Sequence, residues 1–294
     1  MRILFIGCVE ISYRLLKDLL ERHRDVVGVV TKKSSAFHAD YVDLQPLCRE
    51  YKIPCHYVKN INDDDSLEFI HSCEPDICYC FGWSQLLRET CMELFPQGVL
   101  GFHPAKLPYN RGRHPLIWAL ALGLDETAST FFQMNAEADA GAILSQMSIK
   151  IAYEDDARTL YDKVTITALE QEREFTEALE KGVAIFRSQN IAAGNVWRKR
   201  GKSDGQIDWR MPSRGIYNLV RSLTRPYVGA HFAHENHDYK VWKVAELPAM
   251  ELGNIEPGKV LAVNGNGSID VKAGSGVIRL LEFERPKINI GDYL

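Results

Sequence analysis

The sequence predicts an α/β protein in which a doubly wound parallel sheet fills the first two-thirds and a small β subdomain closes the chain. Two observations carry this. Short apolar runs alternate with segments of helical periodicity from the start, the rhythm of βαβ units. After about residue 204 that rhythm gives way to short β-rich runs separated by Asn264-Gly265-Asn266-Gly267 and Ala273-Gly274-Ser275-Gly276, which are turn sequences. The expected boundaries are 1–203 and 204–294, with the linker within 182–205.

Residues 2–7 read as a buried strand and 12–24 as the following helix. Residues 25–31 (DVVGVVT) form a second strand and 32–37 an exposed turn. Over 38–52, Tyr41, Leu44, Leu47, Cys48 and Tyr51 recur at spacings of three and four, so a helix is expected. Residues 53–57 are a short strand. The acidic stretch 62–66 caps a helix over 67–73, because carboxylates satisfy free amides at a helix start. Residues 76–81 are the fourth strand, and Ser84 is placed to cap a helix over 85–94.

Val99-Leu100 ends the next buried strand. Gly101-Phe102-His103-Pro104 breaks it, since Pro104 lacks an N–H and biases His103 to extended backbone. Pro115 opens a helix to residue 124, and 127–134 has strand composition. Residues 149–158 read as a strand entering an acidic loop, where Asp155 or Asp156 can cap a long amphipathic helix over 159–181. A short helix over 216–223 precedes strands at 239–244, 258–263, 268–272 and 276–283.

Composition narrows the function classes. The 294 residues are 46% hydrophobic and 25% charged, ordinary for a globular protein, and no apolar run is long enough to span a bilayer. The first residues, MRILFIGCVEIS, read as a strand rather than a secretory leader. A net charge of −4 does not suggest a protein held to nucleic acid by bulk electrostatics. The basic run Arg198-Lys199-Arg200-Gly201-Lys202 is the one feature suited to RNA, and it reads more simply as a solvated charge run. All seven cysteines lie at or before Cys91 without a CxxC pair, which fits free thiols in a cytoplasmic protein. The first turn, Gly7-Cys8-Val9-Glu10, lacks the glycine fingerprint of a dinucleotide site. His231, His234 and His237 do not all share one strand face, so no metal site is expected.

The chemistry concentrates between residues 98 and 146. His103 sits where a strand ends, the place at which open parallel sheets bind ligands. Lys106, Arg111 and Arg113 form a basic loop around Pro108 and Gly112, the composition of an anion clamp. Asp139, in the turn Ala138–Ala142, can approach His103, and a histidine with a carboxylate is a general-base arrangement.

His103, the run Leu107-Pro108-Tyr109-Asn110-Arg111-Gly112 and the turn Asp139-Ala140-Gly141 together resemble the catalytic core of the folate-dependent N-formyltransferases. That family includes enzymes acting on methionyl-tRNA, on glycinamide ribonucleotide and on nucleotide-linked amino sugars. The chain departs from the family at Gly101, where an asparagine is expected to hold the reaction's oxyanion. Either another donor serves (protonated His103, a backbone amide, Asn110 or Asn135), or the protein is a weak or inactive relative.

The resemblance implies a Rossmann-like catalytic domain with an OB-like tail, and 10-formyltetrahydrofolate as formyl donor, with no metal required. It implies His103 and Asp139 as catalytic residues. Trp83, Leu86, Leu87, Asp155 and Asp156 would line the pteridine site. Lys106, Asn110, Arg111, Arg113, Asn218, Arg221 and Tyr227 would face the acceptor substrate. The segment from Asp208 to Phe232 resembles the sugar branch most, so the expected acceptor is a UDP- or dTDP-linked 4-amino sugar of a surface glycan. Methionyl-tRNA is the alternative acceptor, and a non-catalytic folate or nucleotide-sugar binder is the alternative of another class. A homodimer through the edges of the β tail is a further expectation.

Overall fold

The computed structural model describes residues 1–35, 39–248 and 252–294. The expected turn at 32–37 and the expected helix from residue 38 therefore lie partly outside the described residues. The chain forms two compact units: Met1–Gly112 with Ala128–Ile149 and Lys163–Val196, and Arg113–Thr127 with Lys150–Asp162 and Trp197–Leu294.

In the first unit, β1 (Ile3–Ile6), β2 (Val26–Thr31), β3 (Cys55–Tyr57), β4 (Ile77–Cys80) and β5 (Val99–His103) are parallel. Each is short and mostly apolar, as strands covered on both faces must be. A two-residue strand, β6 (Arg111–Gly112), follows outside this sheet, and β7 (Glu126–Gln133) and β8 (Ile143–Lys150) complete it in the order β3-β2-β1-β4-β5-β7-β8. β7 runs antiparallel to β5, so the sheet is mixed rather than wholly parallel.

β5 continues through Gly101 and Phe102 to His103, where a break was expected after Leu100, because Phe132 and Phe131 of β7 pair with those two residues. Pro104 then ends the strand. β8 was legible only at its last residues.

The first helix, α1 (Glu10–Glu21), buries Ile11, Leu15, Leu16, Leu19 and Leu20 on one stripe. Gly7 precedes it because a Cβ there would lie 2.6 Å from the Phe81 carbonyl oxygen and from Ser12. α2 spans only Gln45–Tyr51, opening at Pro46, while Tyr41 bridges to Val9 outside any helix. α3 (Asp64–Ser72) begins earlier than expected, with Asp64 and Asp65 in its first turn.

The helix expected over 85–94 shrinks to α4 (Glu89–Met92). Residues before it are held extended instead: the Gln85 carboxamide accepts from Ile61 N–H at 3.1 Å, and Asn62 accepts from Arg88 N–H at 2.7 Å.

The aromatic core of the first unit packs Phe131 edge-on against Phe81 and tilted against Phe175, with centroids 4.9 and 4.8 Å apart. Phe175 lies on α6 (Ala157–Glu180), whose preceding helix in the chain is α5 (Pro115–Ala121). α6 also buries Thr176, within 2.9 Å of the Tyr79 hydroxyl, and Glu172, whose carboxylate has no hydrogen-bond partner among the described residues.

In the second unit α5 packs on α7 (Ser213–Leu223), which buries Ile216, Leu219, Val220 and Leu223. After the short strand β9 (Val196–Trp197), β10 (Ala230–His234), β11 (His237–Leu247), β12 (Val260–Val263), β13 (Ile269–Lys272) and β14 (Val277–Phe283) form an antiparallel sheet in the order β10-β11-β14-β13-β12. The β10–β11 turn places Glu235 and Asn236 at positive φ, as a two-residue hairpin requires.

Both edges of this sheet are occupied within the chain. Ile207 N–H donates to the His231 carbonyl at 2.7 Å, and Val260 N–H to the Asp292 carbonyl at 2.8 Å. Edge pairing with a second copy, the expected route to a dimer, is thereby blocked at those positions.

Burial holds the Glu172 carboxyl well above the ordinary glutamate range, against the opposing pull of Arg22, Arg173 and Arg24. A carboxyl raised on folding stabilises the fold when protonated, and that contribution is lost as pH rises through the raised value. Glu172→Gln is expected to remove this loss. Chemical denaturation across neutral pH should show wild-type stability falling with pH and the variant's falling less.

Candidate active site

His103 closes β5 and is 5% exposed. Its Nε2 lies 2.9 Å from the Asn110 carbonyl oxygen. A carbonyl only accepts, so Nε2 carries a proton and the neutral ring keeps its lone pair on Nδ1. Nδ1 faces the Asp139 carboxylate at 3.7 Å, too far for a hydrogen bond. The ring is thus fixed by the chain on one side and open to proton exchange on the other.

The expected pair therefore comes together, and the structure gives the reasons. Asp139 sits at φ 58° in the β7–β8 turn, and its Oδ2 accepts from Gly112 N–H at 2.9 Å. Gly141 follows because a Cβ there would stand 1.6 Å from the Gln133 carbonyl oxygen. Gln189 donates to the carbonyls of Asp139 and Gly141 at 3.0 and 2.6 Å, pinning the turn from outside. Gln189 had no sequence signal, since its contacts span 48 to 50 residues; Gly112 stood in the quoted loop, but its bond to Asp139, across 27 residues, was not legible there.

The basic loop behaves less simply than an anion clamp. The Arg111 guanidinium is buried and gives NH1 to Glu137 at 2.8 Å, while its Nε has no partner among the described residues. Lys106 is exposed. Asn110 adopts φ 62°, and its N–H donates to the Asn195 side chain at 2.9 Å. Gly194 permits this approach, because a Cβ there would lie 2.1 Å from the Pro108 carbonyl oxygen.

Gly101 is not an empty position. A Cβ there would meet Phe132 at 2.8 Å and Met134 at 2.9 Å. Trp83, Leu87 and Met134 pack on one apolar cluster of this unit, and the Trp83 indole N–H has no partner among the described residues. Leu86 points outward, 72% exposed.

In the second unit, Asp155, Asp156, Asn218 and Arg221 form an internal clasp. Asp155 accepts from Ala152 N–H at 2.6 Å and from the Thr159 hydroxyl at 3.1 Å, and Asp156 accepts from Thr159 N–H at 3.0 Å. Both carboxylates thus have donors at the start of α6. Arg221 donates to the carbonyls of Ala152, Tyr153 and Asp155 at 3.0, 3.2 and 2.9 Å, and to Asn218 Oδ1 at 2.9 Å.

Arg221 and Asn218 are 8% and 7% exposed, and these bonds tie α7 to this loop. Tyr227 likewise packs on the core of the second unit. Arg113 N–H donates to the Trp197 carbonyl at 3.2 Å. The basic run is not a free linker either, for Arg198 and Arg200 lie over the Trp118 ring at 5.3 and 4.4 Å. The His114 imidazole beside them is pushed below the ordinary histidine range by burial and by Arg113, Arg200 and Lys199.

No helix among the described residues is long and apolar enough to cross a membrane. Residues 1–174 match the formyl transferase family, and residues 199–294 match its C-terminal domain. A methionyl-tRNA formyltransferase of Geobacter metallireducens is 30% identical over 99% of this chain and 94% of its own length.

Among solved structures, an N-formyltransferase from Helicobacter canadensis, in complex with folinic acid and dTDP-3-aminofucose, superposes with a TM-score of 0.72. It is 16% identical and covers 95% of this chain and 98% of its own. HypX from Aquifex aeolicus, in complex with tetrahydrofolic acid, gives 0.67 at 20% identity over 98% of this chain and 45% of its own. At such identities the structural likeness speaks to the fold. The sequence match over both domains carries the assignment: this chain belongs to the formyl transferase family, and it is an N-formyltransferase.

Proposed function

We propose that the protein transfers the formyl group of 10-formyltetrahydrofolate to the primary amine of a UDP- or dTDP-linked 4-amino sugar, in the cytoplasm, for surface-glycan synthesis. The observation that carries the chemistry is His103, held between the Asn110 carbonyl and the Asp139 carboxylate. The amine must lose a proton as it attacks the formyl carbon, and the tetrahydrofolate nitrogen must gain one as it leaves. Nδ1 of His103 is suited to both, with Asp139 stabilising the cation between the two steps.

Within this reading Trp83, Leu86 and Leu87 lie toward the pteridine. Lys106, Asn110, Arg111 and Arg113 lie toward the acceptor, and 1–203 and 204–294 are the functional domains. The sugar acceptor is supported by the resemblance of the Asp208–Phe232 segment and by the net charge of −4, which suits a small substrate better than a polyanion. The Helicobacter canadensis structure supports a dTDP-linked amino sugar as the acceptor class, its own ligand being a 3-amino sugar.

A second reading, methionyl-tRNA as acceptor, has its own support in the Geobacter relative and in Arg198 and Arg200 beside Trp118. RNA contacts of that kind weaken steeply with salt, and a small substrate's binding much less.

Tetrahydrofolate release, followed by absorbance with a panel of UDP- and dTDP-4-amino sugars beside methionyl-tRNA, separates the readings. One sugar nucleotide is expected to support turnover, with His103→Ala slower by on the order of 100- to 10,000-fold. Turnover with tRNA alone would replace the acceptor. Folate binding without turnover on any acceptor would favour a binding protein.

Gly141→Ala is expected to displace the Asp139 turn, since its methyl overlaps the Gln133 carbonyl. Its turnover should fall toward that of Asp139→Ala. Folate binding, measured by fluorescence, should change less than turnover in both variants.

A further inference from the structure

Six of the seven cysteines are buried, and Cys55 alone is partly exposed. Cys55 opens β3, the edge strand of the first sheet, and Cys48 lies on α2, the helix that leads into it. Between them the chain turns back sharply. Lys52 takes φ 58°, and Ile53 N–H donates to the Cys48 carbonyl at 2.8 Å. That turn brings the two side chains together, and the Cys48 thiol donates a hydrogen bond to the Cys55 sulfur.

The surroundings make the two sulfurs unlike. The hydrogen bond from Cys48, with help from Arg49, holds the Cys55 thiol below the ordinary cysteine range, against burial and the Asp43 carboxylate. Asp43 is itself engaged by the Tyr57 hydroxyl at 2.7 Å and by Gln45 N–H at 3.0 Å. The remaining thiols go the other way. Burial pushes Cys8 up to about 12 and Cys91 to about 11, and it raises Cys73, Cys78 and Cys80 as well. Thiolate, not thiol, is the nucleophile, so reactivity concentrates at Cys55. Cys48 is fully buried, and an oxidant from solvent meets Cys55 first.

We propose that Cys55 and Cys48 form a modification site for hydroperoxides, in which Cys55 is the attacking thiol, Cys48 resolves it, and the product is a disulfide within the chain. Neither formyl transfer nor the identity of the acceptor enters this assignment. The Cys55 thiolate attacks one peroxide oxygen: an S–O bond forms, the O–O bond breaks, and the second oxygen leaves as hydroxide, which takes the proton that Cys55 gave up. Cys48 then attacks the sulfenic sulfur: the S–S bond forms, the S–O bond breaks, and the oxygen leaves as water with the Cys48 proton. Two thiols supply the two electrons that reduce the peroxide. A dithiol reductant reverses the bond by exchange.

Alkylation and peptide mapping of the reduced protein test the site. Near neutral pH, iodoacetamide is expected to modify Cys55 at least about tenfold faster than any other cysteine. After hydrogen peroxide, five of the seven thiols should remain alkylatable, with the other two joined in one Cys48–Cys55 peptide that dithiothreitol reopens. Cys48→Ser keeps a hydrogen-bond donor but cannot close the bond, so Cys55 should accumulate as a sulfenic acid trapped by dimedone. Cys48→Ala removes the donor, and the pH at which Cys55 alkylates should move upward.

The wild-type map decides without any variant. Seven alkylatable thiols after peroxide would overturn the assignment, as would a disulfide from Cys55 to any other cysteine. Faster alkylation at another cysteine, or a loss of the Cys55 thiol that dithiothreitol does not reverse, would overturn it equally.

Discussion

The antiparallel register of β5 against β7 is the constraint on which the site depends. It sets His103 opposite Thr130 and Gly101 opposite Phe132. Side chains two residues apart share a face, so His103 and position 101 look the same way. Thr130 is locked beneath them, its hydroxyl donating to the Ala105 carbonyl at 2.7 Å and accepting from Gln146 at 3.0 Å. A slip of one residue would carry the imidazole to the opposite face of the sheet.

From that register the remaining parts follow by close approach. β7 delivers the Asp139 turn at its end. Gly141 lets the turn lie against Gln133, and Gly112 closes the gap by donating its N–H to the carboxylate. The 107–112 loop is in turn held by Asn195 and cleared by Gly194. Several glycines of the motif are therefore steric: they let backbone meet backbone around one ring.

Much of this was legible in the residues. The strand–helix rhythm, the β-rich tail and the association of His103 with Asp139 need only local pattern and motif spacing. What was not legible depends on contacts far apart in sequence. The pairing that keeps β5 extended through Gly101 is made 31 residues later, and Gln189 reaches Asp139 across 50 residues. The partners of Asp155, Asp156, Asn218 and Arg221 were hidden for a related reason. A charged side chain looks like a ligand group until the carbonyls and amides that satisfy it are seen.

The central claim is that the Asn110 carbonyl fixes His103 with its proton on Nε2 and leaves Nδ1 to exchange protons. Two-bond 15N–1H correlation spectra of protein labelled at histidine, with His103 assigned by comparison with His103→Gln, read this directly. The account requires neutral His103 to be the Nε2–H tautomer, with its lone pair on Nδ1. A neutral Nδ1–H tautomer, hydrogen-bonded to Asp139, would contradict it.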